Sequence, residues 1–257
     1  MQNRYVGDIG DFAKYGLLRA LARGTDEWRP RLAVIWYLVP DEGGNSDGRH
    51  TRYLTAKPPT RDAWQRCDSD LYEVLRRLVR NRQRSVHQIE SSNLLPNALF
   101  FTAPLAFERR EDSATRARRR AAWSKEAEAR CSGRDLVFLD PDNGLEVKVD
   151  RLRKKGPKYA YYDDLTSLGG QGRSLMVYQH ATRQGPVIDQ VRRRLQKLGE
   201  LFPDREPFGL YFRPVSPRAF LILPSPVHAG ALCQLCEAFV QGPWGAHFQL
   251  VEPMGDR

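Results

Sequence analysis

The chain contains 257 residues, of which 41% are hydrophobic and 10% are aromatic. This composition is typical of a globular protein with a sizeable core and excludes a disordered chain. The longest apolar run, residues 32–39, is much shorter than the roughly 20 residues that span a bilayer. The first residues also lack the apolar stretch of a secretory signal. We therefore expect a cytoplasmic protein that has no membrane partner.

Basic residues outnumber acidic ones, with 41 Lys and Arg against 31 Asp and Glu and a formal net charge of +10. Most of the excess is arginine, whose planar guanidinium group matches the geometry of phosphate. This charge favours a polyanionic partner, because basic side chains displace the counterions that condense on phosphates. RNA or DNA is the expected partner.

The predicted elements alternate between helices and strands. We expect a helix over residues 11–23, a strand over 32–39, a polar glycine-rich loop over 40–48, a helix over 61–82, a strand over 99–103 and a highly charged helix over 108–130 that lies mostly in solvent or against a partner. Further along, strands are expected over 136–140, 174–178, 208–212 and 218–223, and helices over 187–201 and 227–240.

This alternation predicts one α/β domain over residues 1–257, with a mostly parallel sheet flanked by helices and an antiparallel C-terminal edge. Residues 50–130 are expected to form a helical insertion or a substrate-contacting subdomain. The four cysteines are too few for a disulfide framework in a chain of this length. Cys233 and Cys236 have the spacing of a metal or redox pair, but no second pair accompanies them, so we expect core positions on a helix and no metal ligand.

The most informative segment is LVFLDPDNG, residues 136–144, in which an uninterrupted apolar run stops at Asp140. Apolar residues without alternation indicate a strand that is buried on both faces. In open α/β sheets the ligand lies beyond the carboxyl ends of the strands, so Asp140 is the first candidate for a catalytic residue. The alternative is a simple turn, because Asp, Pro, Asn and Gly also favour turns.

Other acidic residues also fall at element boundaries: Asp8 with Asp11, Asp140 with Asp142, and Asp163 with Asp164. The strand over 174–178 is followed by Gln179 and His180, so its tip is expected beside that of the Asp140 strand. Carboxylates that converge on one point either bind a divalent metal or position a proton-bearing group.

Three short blocks resemble a known family. RYVGDIGDFAKY, residues 4–15, places Gly7, Asp11 and Lys14 at the spacing of an amino-terminal signature. FTAP, residues 101–104, is similar to an aromatic-Gly-Ser-Pro turn, and LDP, residues 139–141, to the start of an Asp-Pro-Pro-Tyr motif. In this order the blocks resemble those of the large-subunit ribosomal RNA adenine-N6 methyltransferases.

The resemblance implies a class I, Rossmann-like methyltransferase fold, S-adenosylmethionine as cofactor, and a flipped adenine held against the Asp140 loop. Asp140 and the Pro141 carbonyl would then hold the target amine for attack on the methyl sulfonium, with Lys14 and Tyr15 near the cofactor. The predicted site comprises catalytic Asp140, Pro141, Asp142, Asn143 and His180, cofactor-binding Lys14, Tyr15, Gly43, Gly44, Glu90 and Ala103, and substrate-binding Asp8, Asp11, Arg49, His50 and Tyr178.

The chain departs from this family pattern at several positions. Asp142 and Asn143 stand where the family has proline and a base-stacking aromatic residue, so stacking would have to come from Tyr161, Tyr162 or Tyr178. The glycines of the 40–48 loop follow a different order from the usual acid and Gly-x-Gly. The stretch from residue 104 to 140 is short for the strand whose acid holds the cofactor ribose, which makes Glu90, after residues 84–89, the alternative acid.

Two other functions are compatible with the sequence. Pro141-Asp142 followed by Glu146-Val147-Lys148 is similar to a restriction-type nuclease signature, and the acidic clusters would suit Mg²⁺ in a nuclease or phosphodiesterase. That signature normally lies on two neighbouring strands, which the short spacing here does not allow. The third possibility is a methyltransferase-like fold without a cofactor that binds nucleic acid.

Overall fold

The computed structural model describes residues 1–43, 48–182, 185–215 and 217–253. Its helices are α1 (Ile9–Arg23), α2 (Thr60–Cys67), α3 (Ser69–Arg80), α4 (Val86–Ser91), α5 (Ser113–Arg130), α6 (Tyr162–Leu168), α7 (Val187–Leu201) and α8 (Ala229–Gln241). Its strands are β1 (Leu32–Trp36), β2 (Leu99–Phe101), β3 (Leu136–Asp140), β4 (Gly144–Leu145), β5 (Tyr159–Ala160), β6 (Ser174–His180), β7 (Phe208–Phe212), β8 (Arg218–Leu223) and β9 (Phe248–Val251).

Seven strands form one mixed sheet in the order β2-β1-β3-β6-β8-β7-β9, and β4 pairs with β5 in a separate small sheet. Strands β2, β1, β3 and β6 are parallel, whereas β8 runs antiparallel to both of its neighbours and β9 runs antiparallel to β7. The predicted α/β fold with a parallel centre and antiparallel C-terminal strands is therefore confirmed, and the sheet is Rossmann-like.

The sheet is covered by helices on both faces, which is why its central strands are apolar throughout. Side chains of β1 and β3 alternate between two core clusters, one containing residues of α1, α3, α4 and α8 and the other containing residues of α5, α6 and α7. The chain passes from β1 to β2 on one side and returns to β3 on the other, so the switch in strand order lies between β1 and β3. In open α/β sheets this crevice, at the carboxyl ends of the strands, is where ligands bind.

Several predicted boundaries were wrong. The helix predicted over residues 61–82 is two helices, α2 and α3, and Glu90 lies inside α4. The strand predicted over 32–39 ends at Trp36, and the charged helix begins at Ser113 and buries Trp123 and Ala127 against the sheet. Strand β9 was not predicted. No helix among the described residues is both long and apolar enough to cross a membrane.

The break between α2 and α3 is caused by Asp68, which does two things at once. Its carboxylate accepts a hydrogen bond from the Leu71 backbone amide at 3.0 Å, and so caps α3. It also binds the Arg19 Nε at 2.7 Å, which ties α3 to α1. The first helix is thus held against the helices that follow β1.

We expect Asp68→Ala to lower the free energy of unfolding by about 1–2 kcal/mol, because it removes a helix cap and a largely buried partner of Arg19. Asp70→Ala is the matched control: Asp70 lies in the same turn and is 3.8 Å from Arg19 Nη2, but its side chain is 87% exposed and does not cap the helix, so its loss should cost less than about 0.5 kcal/mol. Urea unfolding of both variants measures the difference. Equal losses would contradict the capping role of Asp68.

Candidate active site

A polar cavity of about 110 Å³ lies at the carboxyl edge of the sheet, where the tips of β3 and β6 meet the amino-terminal end of α1. Its walls carry four carboxylates and two cationic side chains, together with several neutral groups. The lining residues are Met1, Tyr5, Asp8, Asp11, Lys14, Gly48, His50, Asp140, Pro141, Asp142, Asn143, Tyr178, His180 and Arg218.

Lys14 is fully buried and joins α1 to the tip of β3. Its Nζ lies 2.7 Å from Asp11 Oδ1 and 2.7 Å from Asp140 Oδ2. The rings of Tyr15, Trp36 and Tyr178 surround the ammonium group, with ring centres 5.1–5.4 Å away. Burial alone would lower the pKa of Lys14, but the two carboxylates outweigh burial and raise it, so the ammonium stays charged.

Two acidic residues lie at the start of helix α1 and place its amino-terminal end at the cavity. Asp8 is the N-cap: one carboxylate oxygen accepts from the Gly10 amide at 3.0 Å, and the other accepts from the His50 amide at 3.0 Å. Asp11, in the first turn, faces Lys14 one turn later and also accepts from the Tyr15 hydroxyl at 3.2 Å. Burial raises the pKa of Asp11 to about 6 although Lys14 opposes the shift.

Asp142, just beyond β3, is buried, and only one of its two carboxylate oxygens accepts a hydrogen bond. Its Oδ2 accepts from Gln2 Nε2 at 2.9 Å and lies 3.1 Å from Lys158 Nζ. Its Oδ1 has no hydrogen-bond partner, and the Met1 nitrogen lies 3.8 Å away. Burial would raise the pKa of Asp142, but the Met1 amine and Lys158 outweigh burial and lower it. A charged carboxylate oxygen is therefore available on the cavity wall.

Gly144 ends the turn that follows Asp140 and brings this turn close to the neighbouring parallel strand β6. Its φ of +94° is in the left-handed region, and a Cβ there would meet the Gln179 side chain at 2.6 Å. Gln179 in turn accepts from the Leu145 amide at 2.8 Å. This contact holds the turn over residues 141–144 against β6, so that the side chains of both tips face the same cavity.

The tips of β6 and β8 supply the opposite wall. His180 is paired in register with Arg218, the first residue of β8. Burial lowers the pKa of His180 well below its ordinary value, with a further contribution from the Arg218 charge, so the imidazole is neutral at pH 7. Arg218 donates through Nη1 to the Pro217 carbonyl at 3.1 Å, while its buried Nε has no partner.

Met1 and Gln2 cross the crevice between the tips of β1 and β3. The Met1 nitrogen donates to the carbonyls of Tyr37 at 2.8 Å and Asp140 at 3.1 Å. The Met1 carbonyl accepts from the Val39 amide, and Gln2 Oε1 accepts from the Glu42 amide at 2.8 Å. The place at which an open α/β sheet binds a ligand is thus bordered here by the chain's own first residues.

Most of the predicted site residues lie together on the cavity wall: Asp8, Asp11, Lys14, His50, Asp140, Pro141, Asp142, Asn143, Tyr178 and His180. The structure places five others outside it. Tyr15 lies in the core with its hydroxyl on Asp11, and Arg49 and Gly43 are exposed near the cavity but do not line it. Glu90 accepts from Trp36 Nε1 at 2.9 Å, and the Ala103 carbonyl accepts from Trp123 Nε1 at 2.8 Å. Gly44 lies outside the described residues.

The third acidic pair and two candidate stacking residues also lie away from the cavity. Asp164 accepts from the Tyr37 hydroxyl and binds Arg120 at 2.6 Å, and Asp163 pairs with Arg151. Tyr161 is enclosed by the guanidinium groups of those two arginines, at 4.5 and 4.7 Å, and Tyr162 does not line the cavity either. Of the aromatic residues proposed to stack on a base, only Tyr178 lines the cavity.

Four lining residues were not predicted: Met1, Tyr5, Gly48 and Arg218. Arg218 had a usable signal, because an antiparallel pairing of the strands over 174–178 and 218–223 brings the first residue of the second strand to the carboxyl end of the first. Tyr5 and Gly48 lie in segments that the sequence singled out, the block over residues 4–15 and the loop over 40–48, whereas Met1 carried no signal.

A lysine rather than a metal ion joins the two nearest carboxylates. Lys14 Nζ occupies the position between Asp11 and Asp140 that a divalent cation would take. Within residues 1–43, 48–182, 185–215 and 217–253, no group of three or more His, Cys, Asp or Glu side chains has the geometry to hold a metal. Cys236 is buried on α8, as expected for a core position. The core position predicted for Cys233 was wrong, because Cys233 is only partly buried and its thiol donates to Glu237 Oε1 at 3.4 Å.

No protein-family model and no curated protein sequence matches the chain.

We expect Lys14→Met to lower the free energy of unfolding by about 3–5 kcal/mol at pH 7, because it leaves two buried carboxylates without their cation. Lys14→Met/Asp140→Asn should recover part of that loss, since the second change removes one of the stranded charges. Urea unfolding of the wild type, both single variants and the double variant gives the coupling energy. A Lys14→Met variant as stable as the wild type would contradict the role given to this ion pair.

Proposed function

We propose that this protein is an S-adenosylmethionine-dependent methyltransferase that acts on an amine of RNA, DNA or a nucleotide-like substrate. The observation that carries the proposal is the 2.7 Å contact between Lys14 and Asp140. These residues belong to two blocks of the family resemblance that lie 126 positions apart in the chain, and both line one cavity. The third block, residues 101–104, does not line the cavity.

The chemistry of the cavity suits one end of this cofactor. The four carboxylates outnumber the Lys14 and Arg218 side chains and the Met1 amine, so the cavity favours a cation although the chain as a whole is basic. The unpartnered Arg218 Nε is a donor for the carboxylate of the methionine end. Small-molecule sites usually enclose about 300–1,000 Å³, so a cavity of about 110 Å³ holds only part of the cofactor. The rest would extend toward the crevice between β1 and β3, which Met1 and Gln2 cross in this structure.

The remaining side chains have the properties that amine methylation requires. When bound, S-adenosylmethionine supplies a methyl group on a positively charged sulfur. Asp142 Oδ1, buried and unpartnered, accepts a hydrogen bond from the substrate amine and orients its lone pair. His180, neutral at pH 7, takes the proton that the amine loses after it is methylated. Tyr178 offers a ring for contact with the base.

Of the two alternatives, the magnesium-dependent nuclease is less favoured by the described residues, because the Lys14 ammonium group already pairs with Asp11 and Asp140 and offsets one of their two negative charges. A nucleic-acid-binding module without cofactor is consistent with the basic charge of the chain. Binding of S-adenosylmethionine separates all three functions.

We expect the wild type to bind S-adenosylmethionine in a calorimetric titration without metal, and to bind Mg²⁺ alone not at all. Arg218→Gln should weaken cofactor binding about tenfold, since it removes a buried, charged donor. Arg192→Gln, an exposed position on α7, is the control and should leave the affinity unchanged. Mg²⁺ binding without cofactor binding would favour the nuclease, and binding of neither would favour the nucleic-acid module; each result would overturn the proposal.

Cofactor affinity should fall as the pH drops through about 6. The pKa of Asp11 is raised to about 6, so Asp11 gains a proton there and the cavity loses one negative charge beside the cationic cofactor. Titrations at pH 5, 6 and 7 measure this change. The Asp11→Asn variant should bind S-adenosylmethionine weakly at every pH and should show no fall in affinity near pH 6. If its affinity still falls near pH 6 as in the wild type, the titrating group is not Asp11.

A further inference from the structure

A second cavity, of about 590 Å³, lies at the amino edge of the sheet, opposite the candidate active site. Four segments form it: the last turns of α1, the loop before β1, the loop between α4 and β2, and the residue Arg134 before β3. Its volume is within the range of about 300–1,000 Å³ that is usual for small-molecule sites. This cavity shares no lining residue with the candidate active site.

The wall of this cavity is strongly basic. Five arginines line it, and no carboxylate does so among the described residues; the arginines are Arg19, Arg23, Arg29, Arg31 and Arg134. Two of the five are held by carboxylates behind the wall: Arg19 by Asp68 at 2.7 Å and Arg31 by Asp135 at 2.8 Å. The C-terminal end of α1 faces the cavity, so the helix dipole does not help to bind an anion and the arginines must supply the positive potential.

The other three arginines are available to a ligand. Arg23 and Arg29 are exposed, and neither has a carboxylate partner in the part of the chain that the structure describes. Arg134 donates through Nη1 to the Asn97 carbonyl over a long distance of 3.4 Å. Its buried Nε has no hydrogen-bond partner. A buried guanidinium N–H without an acceptor costs free energy unless a ligand supplies one. Phosphate and carboxylate oxygens both match the planar geometry of a guanidinium group, and several arginines in one cavity favour the more highly charged phosphate.

The lining of the cavity also has an apolar part. Ala22, Pro30, Leu32, Leu94 and Pro96 line it, together with Asn93 and Asn97. A ligand that fits this lining has an anionic group for the arginines and a flat, largely apolar group for the other residues. A nucleotide combines these features, because its phosphates are anionic and its base can lie against apolar side chains.

We propose that this amino-edge cavity binds a phosphate-bearing nucleotide unit, either as a free nucleotide or as part of a single-stranded nucleic acid. This site goes beyond the proposed methyl transfer and does not depend on it, because it lies at the opposite edge of the sheet and binding is measured without S-adenosylmethionine. It also gives a specific location to part of the positive charge of the chain.

The test uses two probes, ADP by calorimetry and a fluorescein-labelled short single-stranded RNA by anisotropy. Arg23→Gln/Arg29→Gln should weaken binding of at least one probe about tenfold or more. If the probe is RNA, the slope of log affinity against log salt should fall by about 1.4, because two phosphate contacts are lost. Arg109→Gln/Arg110→Gln, on the exposed loop before α5, removes the same charge elsewhere and should change affinity less than twofold.

Urea unfolding should give the same midpoint for both double variants, since all four arginines are exposed. Loss of ADP binding assigns the cavity to a free nucleotide, and loss of RNA binding alone assigns it to a strand. The proposal is overturned if the wild type binds neither probe, if the Arg23/Arg29 variant binds both as the wild type does, or if the control loses as much affinity.

Discussion

One buried ammonium group organises the candidate active site. Lys14 forms ion pairs with Asp11 on its own helix and with Asp140 at the tip of β3, so a single side chain fixes α1 against the central strand. Burying three charged groups is costly unless each finds its partner, and here the cation is shared by both carboxylates. The surrounding aromatic rings exclude water from this contact and strengthen it. The polar turn over residues 141–144, the tip of β6 and the first residues of the chain are then arranged around this fixed point.

The order and type of the main strands could be predicted from the sequence, whereas most side-chain contacts could not. Uninterrupted apolar runs identified the central parallel strands, and the position of Asp140 after one of them located the edge at which the cavity lies. Periodicity did not reveal the break at Asp68, because a capping aspartate looks like any polar helix position until its partner Arg19 is known. The Lys14–Asp140 pair and the unpartnered Arg218 Nε depend on strand order and register, which local patterns do not encode. Glu90 and Ala103 were placed at the site by analogy, and their actual partners are tryptophan side chains.

The two edges of the sheet differ in charge, and this difference shows where the basic side chains of the chain are concentrated. The carboxyl edge has a small cavity in which carboxylates predominate, whereas the amino edge has a larger cavity lined by arginines. A net charge of +10 alone suggests only a polyanionic partner. Its distribution is more informative: an acidic pocket suits a cationic methyl donor, and an arginine rim suits phosphate.

The most direct test of this account is to locate the methyl donor on the chain. The protein is irradiated with ultraviolet light in the presence of methyl-tritiated S-adenosylmethionine, and the labelled peptides are then identified by mass spectrometry. Label is expected in peptides that line the carboxyl-edge cavity, from residues 1–14, 140–143 or 178–180, and should be lost when unlabelled cofactor is in excess. Absence of label, or label confined to peptides of the amino-edge cavity, would contradict the proposed site of the methyl donor.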